Sequence, residues 1–122
     1  MRVREKYLIL LVRNESRDCV LGEHVETADT SKKRQTGLLK HERLLPGHGL
    51  WIVPCEGVHT FWMKFRIDVV FLSKKRKVLK IRKDMKQWRM AWCLRAHSVL
   101  EFPSGTLDET GTVPGDQLVF EK

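Results

Sequence analysis

Short apolar or alternating runs of residues, each bounded by charged or turn residues, recur along the whole chain. Runs of this length that are rich in Val, Ile, Leu and aromatic residues are typical of β-strands. We predict strands at Tyr7–Val12, Cys19–Leu21, His24–Ala28, Leu50–Val53, His59–Lys64, Arg66–Leu72, Val78–Arg82, Val99–Phe102 and Gln117–Glu121. The second and third runs form either a small hairpin or one broken strand, so we expect about eight strands.

One polar stretch carries the signals of a short helix. Asp29 or Thr30 can cap its first turn, and the helix then runs to about Lys40. Two interpretations of residues 85–96 are possible, a helix or an extended loop. Residues 105–115 are rich in turn residues and could contain a short helix. The pattern predicts a mainly β fold, either an antiparallel β-sandwich of the jelly-roll kind or an open barrel, with one short helix near residues 30–40.

Length and composition fit one small globular domain. The chain has 122 residues, of which 42% are hydrophobic and 31% charged, so we expect a single domain over residues 1–122. No apolar run approaches the roughly twenty residues of a membrane-spanning helix, so we predict no membrane span. We also expect no cofactor. The three cysteines are widely spaced, which favours free thiols and a cytoplasmic location, with a mature exported protein as the alternative.

The positive charge of the chain is concentrated in one segment. The net charge is +8, and residues 64–95 contain 12 basic and two acidic side chains, whereas residues 96–122 contain one basic and five acidic ones. A dense basic segment attracts polyanions, which predicts weak nucleic-acid binding, but lysines on a strand edge also simply keep it solvated. The candidate polyanion-binding residues are Lys74, Lys75, Arg76, Lys77, Lys80, Arg82, Lys83, Lys86 and Arg89.

A distinctive motif occupies the middle of the chain. From residue 55 it is Cys-x3-His-Thr-x2-Met-x-Phe-x-Ile-Asp-x2-Phe-Leu, with Arg-x2-Gly-Leu-Leu upstream and Leu-Glu-Phe-Pro-x-Gly downstream. These elements, over about residues 24–121, resemble the domain-of-unknown-function family 192. The resemblance implies a prokaryotic protein with a compact, mainly antiparallel β fold and no established activity. Leu39 departs from the family pattern where methionine is expected, and Gln87 where proline is frequent.

Three soft metal ligands lie close together in this motif. Cys55, His59 and Met63 would suit zinc or copper, and a Cys55–His59 pair could instead form a thiolate nucleophile. On a strand over residues 59–64, His59 and Met63 would share one face. The alternative is structural: Cys55 and Met63 lie in the core, and His59 bonds a carboxylate or a backbone group. The metal site is therefore only a weak hypothesis.

Two acidic residues interrupt apolar strands. Asp68 lies between Ile67 and a Val-Val-Phe run, and Glu101 between Leu100 and a phenylalanine. A buried carboxylate needs a partner, and the candidates for Asp68 are Arg34, Lys64 and His59. If the two carboxylates converge, they could form an acid–base pair or a hard-metal site. Otherwise each one orders the fold or faces solvent or a basic neighbour.

The chain is also rich in tryptophan, with Trp51, Trp62, Trp88 and Trp92. Core packing is the ordinary role of these side chains. The alternative is a surface on which a sugar, a base or a peptide stacks, and basic residues beside the last two favour a single-stranded nucleic acid there.

Our leading hypothesis is a small β-rich ligand-binding or accessory domain, with an unknown small ligand or protein partner. Its candidate pocket consists of Arg34, Cys55, His59, Trp62, Met63, Asp68 and Glu101. The first alternative is a nucleic-acid-binding module that uses residues 74–95. The second is a hydrolytic or redox enzyme that uses Cys55 with His59, so binding protein and enzyme both stay open.

Overall fold

The computed structural model describes residues 8–39 and 41–122, so Tyr7 of the first predicted strand and Lys40 of the predicted helix lie outside the described residues. The strands are β1 (Ile9–Asn14), β2 (Cys19–Ala28), β3 (His48–Ile52), β4 (Gly57–His59), β5 (Ile67–Leu72), β6 (Val78–Met85), β7 (Met90–Trp92), β8 (Ser98–Pro103) and β9 (Leu118–Glu121), and the helices are α1 (Ser31–Thr36) and α2 (Thr106–Thr110). Within these residues, neither helix has the length and apolar character needed to cross a bilayer.

Seven of the strands form one curled sheet that makes a half-barrel. Their order is β6-β5-β8-β3-β2-β1-β9, with antiparallel neighbours except for the parallel pair β2–β3. The two edge strands approach each other where Lys77 and Gln117 form a bridge. Strands β4 and β7 pair only with each other, as a two-stranded ribbon.

The predicted fold class is confirmed, because the structure is 46% strand and 10% helix. The helix near residues 30–40 is confirmed as α1, and the Thr30 hydroxyl caps it by accepting a hydrogen bond from the Lys33 backbone N–H at 3.1 Å. Residues Cys19–Ala28 form one strand, so the hairpin alternative is wrong. The region rich in turn residues after Gly105 contains the second short helix, α2.

Apolar side chains cover both faces of the sheet. Every residue of β5 is buried, as expected for a strand between two packed layers. One face carries Leu100 together with Leu107 of α2, and we call this cluster the α2 core. The other face carries Val99 together with Leu38, which follows α1, and Ala91 of the ribbon, and we call this cluster the ribbon core.

The predicted strand His59–Lys64 is wrong beyond its first residue. The chain turns at Phe61 and Trp62, where Trp62 has a φ of 68°. Thr60 holds this turn, since its hydroxyl donates to the Lys86 carbonyl at 2.5 Å and accepts from the backbone N–H of residue 89 at 2.9 Å. The predicted shared face of His59 and Met63 is therefore lost, because His59 is exposed while Met63 is buried.

Asp68 anchors α2 to the sheet. Its side chain is buried, and Oδ2 accepts hydrogen bonds from the backbone N–H groups of Gly105 at 3.2 Å and Leu107 at 2.9 Å. Its Oδ1 accepts from the Asp84 backbone N–H at 2.8 Å. Since the residue at the helix N-cap is Gly105, which has no side chain, Asp68 caps the helix from a neighbouring strand.

We expect Asp68→Ala to lower the free energy of unfolding by about 2–4 kcal/mol, because it leaves several backbone N–H groups without an acceptor. Urea denaturation measures the change. The matched control is Asp108→Ala on α2, whose exposed carboxylate pairs with Lys83 and should contribute less than about 0.5 kcal/mol. Similar losses in the two variants would contradict the capping role.

Candidate functional site

A cavity of about 310 Å³ lies beside the ribbon core, between α1 with its following loop and the segment that leads into β4. Its lining residues come from α1, the end of β3, β4 and β8, and they are Ser31, Arg34, Gln35, Thr36, Gly37, Leu38, Leu39, Ile52, Pro54, Cys55, Gly57, Val58, His59, Met63 and Glu101. The wall combines polar and apolar side chains. Its two ionisable side chains of opposite charge are Arg34 and Glu101.

Glu101 is the buried polar residue of this cavity. It lies on β8, beside Leu50 of β3 and Val69 of β5, and is 4% exposed. No hydrogen bond or ion pair reaches its carboxyl group from the residues that the structure describes. Burial raises the pKa of Glu101 to about 7. At neutral pH the carboxyl group is therefore balanced between its neutral and ionised forms.

Arg34 is half-buried and is held by α1 and the end of β3. Its Nη1 donates to the carbonyl oxygens of Asp29 at 3.1 Å and Val53 at 3.4 Å, and Nη2 donates to Ser31 Oγ at 3.3 Å. Two of the five guanidinium N–H donors thus have no partner among the described residues. Arg34 and Glu101 form no ion pair in this part of the chain, so neither charge neutralises the other.

Cys55 and His59 both line the cavity without forming a catalytic pair. The Cys55 thiol donates to the Gly57 carbonyl at 3.0 Å, and His59 Nδ1 accepts from the Phe61 backbone N–H at 3.3 Å. Burial raises the pKa of Cys55, which favours the neutral thiol. Across residues 8–39 and 41–122, no group of three or more His, Cys, Asp or Glu side chains could hold a metal ion.

The structure brings five of the seven predicted pocket residues to this cavity, namely Arg34, Cys55, His59, Met63 and Glu101. Trp62 lies outside it, 70% exposed in the turn after β4. Asp68 also lies outside it, because it pairs with Phe102 whereas Val69 pairs with Glu101. A one-residue offset between antiparallel strands places the two carboxylates on opposite faces of the sheet. The two carboxylates therefore do not converge, and the acid–base pair or hard-metal site that depended on their convergence is not formed.

The apolar wall of the cavity was missed as part of the pocket. It includes Leu38, Leu39, Ile52 and Val58. The sequence did contain a signal for this wall, namely the Gly-Leu-Leu segment at residues 37–39 of the upstream motif. Gly37 has a φ of 47° and ends α1, which sends the next two residues back towards the sheet.

The basic residues do not form one uniform surface. The Arg76 guanidinium packs over the rings of Trp51 at 4.7 Å and Phe120 at 5.0 Å, and burial lowers its pKa. Lys83 pairs with Asp108 at 2.7 Å. Arg76 and Lys83 thus already contact other side chains of this protein. Nucleic-acid binding by the nine candidate basic residues stays a prediction.

The chain matches the model of the family DUF192, described as uncharacterized ACR, over residues 12–120. The UPF0127 protein of Thermococcus gammatolerans is 30% identical to it, over 91% of this chain and 75% of that protein. The UPF0127 protein of Thermococcus sibiricus is also 30% identical, over 88% of this chain and 73% of that protein. The chain belongs to the DUF192 family, as the central motif predicts.

Two solved structures share the fold. A protein of unknown function from Novosphingobium aromaticivorans matches with a TM-score of 0.79 and 21% identity, over 93% of this chain and 84% of that one. A candidate transcription regulator from Sinorhizobium meliloti 1021 matches with a TM-score of 0.83 and 21% identity, over 97% of this chain and 98% of that one. At this identity the likeness concerns the fold alone.

We expect the stability of the native protein to fall as the pH rises from 4.5 to about 7, by up to about 3 kcal/mol from Glu101 alone. The native state keeps a proton on Glu101 up to about pH 7, whereas the unfolded chain releases it near the ordinary value of 4.5. Urea denaturation at a series of pH values should show this loss in the wild type and not in Glu101→Gln. Glu109→Gln, at an exposed position of α2, is the control, and parallel pH profiles for wild type and Glu101→Gln would contradict the assignment.

We expect Cys55 to react with iodoacetamide more slowly in the folded protein than in the urea-unfolded chain at the same neutral pH. The raised pKa leaves less thiolate, and thiolate is the reactive form. Mass spectrometry of the peptide that contains Cys55 measures the rate separately from the other two cysteines. Faster alkylation of the folded protein would indicate an activated thiol and favour the enzyme hypothesis.

Proposed function

We propose that this DUF192 protein binds a small polar molecule in the cavity beside α1, and that Glu101 recognises it. The single observation that carries this proposal is the buried Glu101 carboxyl group, which lines the cavity without a partner among the described residues. Because Glu101 lines the cavity and no described residue bonds its carboxyl group, that group is free to accept a hydrogen bond from a ligand in the cavity.

The size and lining of the cavity suggest the chemical class of the ligand. A volume of about 310 Å³ is near the lower end for small-molecule sites. Glu101 offers an acceptor on one side, and Arg34 retains unused donors. Leu38, Ile52 and Val58 supply apolar wall. The complementary ligand is a small zwitterion of amino-acid type, with an ammonium group on Glu101, an anionic group on Arg34 and a short aliphatic part.

The two other functions have weaker support. A Cys55–His59 enzyme would need a base beside the thiol, but no hydrogen bond joins these side chains within the described chain and burial favours the neutral thiol. A nucleic-acid-binding role for residues 74–95 rests on charge alone, and it loses Arg76 to its contacts with aromatic rings. We therefore favour the cavity.

The test is calorimetric titration with a series of linear ω-amino acids of increasing length, together with the amine and the carboxylate that each lack one charge. One chain length should bind best, and removal of either charge should weaken binding. Binding should strengthen as the pH rises through about 7, because an ammonium group prefers the ionised Glu101.

We expect Glu101→Gln to weaken binding of the best zwitterion about tenfold or more, since hydrogen bonds to charged groups are the strong ones. Arg34→Lys should weaken it less than Arg34→Ala, whereas Glu109→Gln, outside the cavity, should bind like the wild type. Equal affinity of wild type and Glu101→Gln, or no binding by any member of the series, would contradict the proposal.

A further inference from the structure

The most exposed large apolar side chains of the described residues are concentrated on and around the β4–β7 ribbon. They are Trp62 at 70%, Trp88 at 53%, Met90 at 56%, Trp92 at 55% and Leu94 at 75%, and we call them the apolar strip. The other exposed apolar side chains in residues 8–39 and 41–122 are at most 47% exposed and lie elsewhere. A concentration of exposed apolar side chains of this kind marks an interaction surface more often than a solvated one.

The ribbon presents two different faces. Val58 and Ala91 are paired across it, and both pack into or against the ribbon core. Their neighbours on β7, Met90 and Trp92, point the other way and are exposed, as the period of a strand requires. His59, which pairs with Met90, is exposed as well. On the outer face of the ribbon, Met90 and Trp92 are thus exposed apolar side chains that do not belong to the ribbon core.

The backbone holds the tryptophans outward. Trp62 and Trp88 have φ values of 68° and 62°, in the left-handed region that large side chains rarely adopt. Their rings contact each other at 4.6 Å in an edge arrangement, and Phe61 stacks on Trp88 at 5.4 Å. The Thr60 hydrogen bonds join the two turns that carry these rings. The rings are therefore preorganised at the surface.

Cations surround the strip with few opposing carboxylates. Segments 56–64 and 86–95 contain four basic residues and one acidic residue, and one of the four, Lys64, pairs with Glu42 at 2.6 Å. Arg89 donates only to backbone carbonyls, Lys80 donates to the Trp92 carbonyl at 2.8 Å, and Arg95 is exposed. None of these three cations pairs with a carboxylate among the described residues. The partner of this surface must therefore be apolar and anionic together.

We propose that the apolar strip docks the protein on the surface of a membrane that contains anionic lipids. Tryptophan is favoured at the membrane–water interface, where an apolar ring and a polar N–H both find their surroundings, and nearby Lys and Arg bind anionic headgroups. Met90 lies between Trp88 and Trp92 in the chain, and Leu94 follows them. Both side chains suit acyl chains and cannot stack on bases as aromatic rings do. A second copy of the chain fits less well, because a two-fold interface would place two surfaces of the same positive charge against each other.

The experiment is cosedimentation of the full chain with vesicles of phosphatidylcholine alone, and with vesicles of three parts phosphatidylcholine and one part phosphatidylglycerol. Binding should occur to the anionic vesicles and weaken as salt is added. Leu94→Ser together with Trp92→Ser should lower the partition coefficient about tenfold or more. Arg95→Ala should lower it about fivefold, the effect of one cation near an anionic surface.

Two controls remove equivalent groups from other surfaces. Val20→Ser removes an exposed apolar side chain of β2, and Lys75→Ala removes a cation from the turn before β6. Both should bind like the wild type, and the circular dichroism of all variants should be unchanged. Equal binding to both kinds of vesicle, or no binding to either, would overturn the proposal. So would tighter binding to a single-stranded oligonucleotide than to anionic vesicles, or a dimer that the Trp92 and Leu94 changes dissociate.

Discussion

The alternation of side chains along β8 decides what lies on each face of the molecule. This strand pairs with β5 and β3 on its two sides, and both of its faces are covered. Leu100 and Phe102 enter the α2 core, whereas Glu101 faces the ribbon side. A slip of one residue would exchange these faces. The ring of Phe102 packs against β3 where residue 49 is glycine, since a Cβ there would lie only 2.8 Å from the ring.

The same alternation explains why two similar carboxylates have different surroundings. Asp68 faces the side of α2 and meets three backbone N–H groups, so its burial is compensated within the fold. Glu101, one register position away on the neighbouring strand, faces the ribbon side, where no donor among the described residues reaches it. Burial raises the pKa of Glu101 to about 7. One carboxylate therefore belongs to the architecture, and the other is available for a ligand.

The strands of the seven-stranded sheet were largely predictable, because most are short apolar runs between turn residues, and the cap at Thr30 follows from its position before a polar helix. The ribbon strands β4 and β7 were not predicted with these bounds. Strand pairing was not predictable, so the opposite faces of Asp68 and Glu101 could not be foreseen. The run through Phe61, Trp62 and Met63 looks like a strand by composition. It turns instead, since hydrogen bonds from Thr60 reach a segment about thirty residues away. Tertiary contacts of this kind leave no local signal.

Both proposed functions depend on the ribbon, although they use different parts of it. Val58 lines the cavity, while Met90 and Trp92 face outward. The ribbon is not a member of the seven-stranded sheet, and backbone hydrogen bonds from Cys55 to His97 and from Cys93 to Glu56 tie its ends together and to the loop before β8. Met90 and Trp92 do not line the cavity, so we expect changes at these two residues to alter docking and to leave Glu101, which lies on β8, in place.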